Sequence, residues 1–211
     1  MACQRLHRRE PGAGICLVDR DPAKFGLIPE HAAVRTVPAT AAVFLTEALE
    51  SPTPPDWIIP AIPRHVGFEW LVEQLPGSGV WRVIPVPAEV GQGLPYVYQG
   101  AGGEFYLSLS TERCPDDCPE PAGQCYLSGA KRAYNLYDYL ENIILPDYTS
   151  LVIRSRQLAP GVGGYTPAAL RQLQVQVSSL GGKILISTAC RCHGVTNGLE
   201  KLTGMEAGVG I

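Results

Sequence analysis

Apolar residues recur along this chain in two different periods, and their alternation is its first structural message. Ala41, Phe44, Leu45, Ala48 and Leu49 fall at i, i+3, i+4, i+7 and i+8, which puts them on one face of a helix. Phe68, Leu71, Val72 and Leu75 predict a second helical face, and Leu136, Leu140, Ile143 and Ile144 a third. Leu170, Leu173, Val177 and Leu180 predict a fourth, starting at Thr166-Pro167 and ended by Gly181-Gly182. Between these faces lie short apolar or β-branched runs that read as strands: Ile15–Asp19, Ala33–Val37, Asp56–Pro60, Trp81–Val86, Ser150–Arg154 and Lys183–Thr188. Ala2–Arg9 reads as the tail of a helix, and Asp21-Pro22 as a cap followed by proline at the first helical position. Strands that alternate with helical stretches of about ten to fifteen residues predict βαβ units and an α/β fold with a mainly parallel, Rossmann-like sheet.

The rhythm breaks once. From Pro87 to Arg113 glycines are frequent and the aromatic runs are short, which predicts loops or a hairpin, and a proline-laden cysteine stretch follows. The expected organisation is a Rossmann-like half over 1–87, a cysteine-rich insertion over 88–146 and a βαβ return to the sheet over 147–211.

Composition narrows the function classes. In 211 residues, 45% are hydrophobic and 18% charged, enough for a sizeable core and too apolar for a disordered chain. A net charge of −3 argues against general affinity for nucleic acid. No apolar run approaches the roughly 20 residues that a bilayer crossing needs. Met1 to Arg9 is basic without the apolar centre of a secretion signal, so a cytoplasmic location is expected.

The seven cysteines then decide where chemistry is sought. Cys114, Cys118 and Cys125 are spaced C-x3-C-x6-C, and Cys190, Cys192 and His193 form C-x-C-H at the end of the last strand run. An odd count cannot pair fully within one chain, and in a reducing compartment close spacing points to metal ligation rather than a disulfide framework. A disulfide-bonded secreted protein is the competing reading. Thiolates suit zinc or a [4Fe-4S] cluster, and six candidate ligands exceed the four of a tetrahedral ion, so at least one is spare. Surface thiols and small buried hydrophobes are the bland alternative.

Weaker signals surround these knots. Gly161, Gly163 and Gly164, between a strand and a helix start, form either an anion pocket or a plain tight turn. Arg154, Arg156 and Gln157 stand beside them. His65 is a proton carrier, a ligand or a cap-region histidine, while His7 and His31 carry no usable signal. No G-x-S-x-G, H-E-x-x-H or phosphate-loop lysine motif occurs.

Residues 1 to 86, through the helix tail, the strand ending in Leu17-Val18-Asp19-Arg20-Asp21-Pro22 and the βαβ order, resemble a Rossmann domain of dehydrogenases and potassium-uptake regulators. The resemblance implies NAD(P) binding, with Asp19 on the ribose hydroxyls. The G-x-G-x-x-G loop would precede Ala2, so the expectation is a half-domain without its first strand and glycine loop. Together these signals suggest a metal-binding, oxidoreductase-like or redox-sensing protein that meets a small molecule or a redox partner protein, with a homo-oligomer as one option. The second reading is a non-catalytic module whose structural zinc serves interactions with partners.

Overall fold

A computed structural model describes residues 2–27, 34–75 and 80–202. His31 and the glycine-rich tail from Gly204 lie outside them. In chain order the helices are α1 (Ala2–Arg9), α2 (Ala41–Glu50), α3 (Val66–Gln74), α4 (Leu136–Glu141) and α5 (Pro167–Ser179). The strands are β1 (Ile15–Asp19), β2 (Val34–Pro38), β3 (Trp81–Ile84), β4 (Tyr96–Gln99), β5 (Phe105–Ser108), β6 (Tyr148–Arg154), β7 (Arg156–Ala159), β8 (Val162–Gly164), β9 (Lys183–Ala189) and β10 (His193–Lys201). Short 3-10 turns occupy Pro22–Leu27 and Ala88–Gly91.

Local chemistry sets the element starts. Thr40 and Thr166 cap α2 and α5, each hydroxyl accepting the N–H three residues on, and Pro167 supplies the preset first-turn φ of α5. Asp21 accepts the Ala23 N–H at the start of the 3-10 turn that Pro22 opens. The apolar face of α5 is the expected one: Leu170, Leu173 and Val177 are buried, each worth about 1.5–3 kcal/mol relative to exposure.

Six strands form the main sheet in the order β4-β5-β10-β9-β6, with β3 beside β5 along the same side of β10. Alternate side chains of β9 serve two cores. Ile184 and Ile186 pack with α2, α3 and α5, whereas Leu185 and Ala189 pack with β5, α4 and the 88–91 turn. The sheet is thus a central layer with helices on both faces.

This architecture corrects the expected mainly parallel Rossmann-like sheet. In the main sheet only β6 and β9 pair in parallel, joined by the α5 crossover, while β10 pairs antiparallel with β9, β5 and β3. The parallel pair β1–β2 forms a separate two-stranded sheet. The physical reason lies in β10. Its sequence His-Gly-Val-Thr-Asn-Gly-Leu-Glu-Lys is too polar to read as a central strand, yet Thr196 and Asn197 are buried because other side chains satisfy them. Thr196 exchanges a 2.8 Å hydroxyl hydrogen bond with Ser187 across the β9–β10 pair. Once β10 returns beside β9, strand direction in the sheet becomes mixed.

Smaller differences follow similar logic. Asp56–Pro60 contributes only an isolated bridge, Ile58 to Tyr165, and α4 stops at Glu141, leaving Ile144 fully out in solvent. Within residues 88–146, β4 and β5 extend the main sheet beyond β10, and α4 packs on one of its faces.

Candidate thiol-rich site

Three segments meet at the end of the sheet where β9 finishes: the loop 114–132, the β7–β8 hairpin and the turn 190–192 between β9 and β10. Each is shaped locally. The turn closes through Cys190 N–H to His193 O at 2.8 Å, and the Cys190 sulfur accepts N–H bonds from Cys192 (3.5 Å) and His193 (3.3 Å). His193 Nδ1 stands 4.0 Å from the same sulfur. In the loop, Cys118 Sγ accepts the Glu120 N–H at 3.4 Å, with Glu120 held at a positive φ of 48°. Main-chain amides aimed at sulfur favour its negative form.

Side chains then stitch the segments together. Arg132 donates to Pro121 O at 3.1 Å, to Gln124 O at 3.0 Å and to Cys192 Sγ at 2.8 Å, so one guanidinium spans both knots. The Glu120 carboxylate accepts the Arg191 N–H at 2.5 Å. The main chain of the turn is held from two sides, by Leu109 N–H to Cys192 O (2.9 Å) and Leu136 N–H to Arg191 O (2.8 Å). Cys118 O accepts both Gln157 Nε2 (2.6 Å) and the Gly161 N–H (2.9 Å), which clamps the loop to the hairpin.

The electrostatics follow from this packing. Burial pushes the Cys190 thiol up to about 12, with the Glu120 carboxylate next in effect. Burial also raises Cys192, against the pull of Arg132, and Cys114 adds to the rise. Cys114 is itself raised by burial and then by the charges of Cys118 and Cys125. Cys125 goes the other way, lowered by hydrogen bonds from the Ser128 hydroxyl and amide. Thiols of the two knots therefore lie within electrostatic range of each other.

All five site cysteines are unpaired thiols. Among the described residues, no three His, Cys, Asp or Glu groups are arranged as an ion's ligand set. The two cysteine segments adjoin; a closed first shell is absent from their present arrangement.

The remaining sequence-marked residues have other surroundings. Gly161, Gly163 and Gly164 belong to the hairpin rather than to a loop entering a helix. Pro160-Gly161 forms its turn, with Gly161 at φ 69°, and the Gly161 amide is taken by Cys118 O. The N-terminus of α5 is capped by Thr166 instead. Asp19 accepts the Asp21 N–H at 2.9 Å and pairs with Lys24 at 3.1 Å, and these hold its carboxyl below the ordinary range. Arg154 lies over the Tyr137 ring at 4.1 Å.

His65 is buried under the main sheet. Its Nδ1 meets Asn197 Oδ1 and its Nε2 meets Thr188 Oγ1, both at 2.8 Å, and its ring stacks on Phe68. At the N-cap of α3 its side chain makes no capping hydrogen bond, although its carbonyl accepts the Glu69 N–H at 3.0 Å. Sequence reasoning counted Glu120 only among the acidic residues of the first knot and missed Arg132 altogether. Neither belongs to a ligand motif, although the acidity of the first knot was visible.

A mixed α/β sandwich carrying a thiol-rich junction at one sheet end is the class that this geometry defines. The chain belongs to the family AF_1314_C, described as "Uncharacterized protein, C-terminal domain", which it matches over residues 67–202. That span contains every residue of the junction, from Cys114 to His193. A relative from Archaeoglobus fulgidus, described as "Uncharacterized protein", is 31% identical over 153 residues. The match covers 70% of this chain and 66% of the relative, so the chain spans a little under two thirds of that protein's length. No solved structure matches the chain.

Proposed function

We propose that this protein is a metal-binding module in which a thiolate-preferring centre, zinc or an iron–sulfur cluster, pins the 114–125 loop to the β9–β10 turn. The observation that supports it is the Arg132 fork: a single cation already joins Cys192 of one knot to the main chain of the other. Thiolates gathered beside Glu120 repel unless positive charge lies between them, and a divalent ion supplies more of it than one guanidinium. The N–H bonds to Cys190 and Cys118 are the kind of outer contacts that orient and tune metal-bound sulfur. Loading requires the thiols to lose their protons and draw inward, so the loop would move toward the turn as the ion enters.

Metal content of the full chain, purified without oxygen and without chelator, tests the reading. The expected result is about one zinc, or one brown cluster, per chain, with a sharp fall in both metal and melting temperature for Cys118→Ser. A metal-free wild type with seven freely titrating thiols would overturn it, as would unchanged metal content in Cys118→Ser. A visible chromophore would favour redox chemistry; colourless bound zinc would favour a structural role.

A further inference from the structure

A second feature sits on the outer side of the same loop. Arg5, Arg8 and Arg9 of α1 line a cleft of about 360 Å³ together with Asp117 and Pro160. Their spacing of i, i+3 and i+4 puts all three guanidinium groups on one helix face, where like charges repel. Residues 2–7 of α1 are half-buried, whereas Arg8 and Arg9 are exposed. Arg5 helps to hold the helix in place: its Nη1 donates to Asp116 O and reaches Pro160 O at 3.5 Å. Those acceptors are neutral carbonyls and leave the charge of Arg5 in place.

The charge balance of the cleft is one-sided. Three guanidinium groups face one carboxylate, Asp117. The carboxyl end of α1 contributes only about half a negative charge, so positive charge is in surplus among the groups that line the cleft. The chain as a whole carries −3, so the concentration of cations here runs against its general charge. Guanidinium forks bind oxyanions through paired N–H donors, and two of these, Arg8 and Arg9, are exposed and oriented by a helix that Arg5 anchors.

We propose that this cleft binds a phosphate-bearing small molecule, with Arg8 and Arg9 contacting the phosphate oxygens and Arg5 holding the floor. At least two negative charges on the ligand match the surplus, which favours a diphosphate or a phosphomonoester over a monocarboxylate. The site is formed by α1, Asp117 and the hairpin tip, and it shares no cysteine side chain with the thiol junction.

Calorimetric titration of the full chain with pyrophosphate, at physiological ionic strength, tests the site. The expected dissociation constant is below about 1 mM, and the double variant Arg8→Gln/Arg9→Gln should bind at least tenfold more weakly. Both side chains are exposed, so the variant should keep its circular dichroism spectrum and melting temperature. Arg8→Lys/Arg9→Lys, which keeps the charge, should recover part of the affinity. Absence of binding by the wild type would overturn the proposal. So would equal affinity in the folded glutamine variant.

Discussion

His65 illustrates how a single side chain acquires its chemistry from neighbours far away in sequence. Asn197 comes from β10 and Thr188 from β9, and their side chains meet both ring nitrogens. A neutral imidazole satisfies this arrangement, with Nδ1–H donating to the Asn197 carbonyl oxygen and Nε2 accepting from the Thr188 hydroxyl. Burial accordingly depresses its pKa from 6.5 to about 4. Because the folded pKa lies below the unfolded one, the unfolded chain binds a proton first as the solution is acidified. The contribution to stability is therefore complete above about pH 6.5 and is lost as pH falls toward 4, and 2.5 units correspond to roughly 3 kcal/mol. Denaturant unfolding at pH 7 and pH 4.5 should show this loss in the wild type. In His65→Gln the difference between the two pH values should shrink by about 2 kcal/mol or more, and an unchanged difference would count against the assignment.

The β7–β8 hairpin carries the corresponding lesson for elements. Its sequence, Arg-Gln-Leu-Ala-Pro-Gly-Val-Gly-Gly, advertises a turn, and the glycines are there for backbone reasons. Gly161 takes φ 69° and lies so close to Asp116 and Arg5 that a methyl group would collide with both. Gly164 approaches Ile58 O to 2.8 Å measured from where a Cβ would be, which keeps the Ile58–Tyr165 bridge tight. Gly161→Ala should cost more than about 1 kcal/mol, since strain at positive φ adds to the clash. It should also loosen the loop that Gly161 and Gln157 hold. Faster modification of Cys118 by a thiol reagent, alongside a lower melting temperature, is the expected pair of readouts. A variant as stable as the wild type, with Cys118 no more reactive, would mean that the hairpin does not clamp the loop.

For the whole molecule, the helical layers are stabilised by ordinary apolar burial on both sheet faces, but the sheet end is not. The junction of loop, hairpin and turn depends on hydrogen bonds, above all those of Arg132. Arg132→Ala leaves Pro121 O, Gln124 O and the Cys192 sulfur without their shared donor, at a cost of about 1–3 kcal/mol. The loss should be local: limited proteolysis should cut between residues 114 and 132 several-fold faster, while protection of β9 amides from hydrogen exchange stays as in the wild type. Loss of protection throughout β9 would instead make the junction part of the global folding unit.

Much of the layered fold was legible before any coordinates, because helix faces and caps are local. Ala41 to Leu49, Phe68 to Leu75 and the capped run from Thr166 carry their own periodicity, and each appears within a residue or two of its expected limits. The cysteine motifs were equally visible, since a C-x3-C-x6-C spacing belongs to one short stretch. Strand direction was not. A period of two says that a strand has a buried face and nothing about which neighbour it finds, so β10, with its Thr196 and Asn197, stayed hidden until Ser187 and His65 were seen to satisfy them. The same holds for Glu120 and Arg132, ordinary charged residues until folding sets one against Arg191 and the other against Cys192. Local spacing settles what one segment can form alone, while long-range pairing settles which polar groups share a buried place, because only proximity can repay the cost of removing them from water.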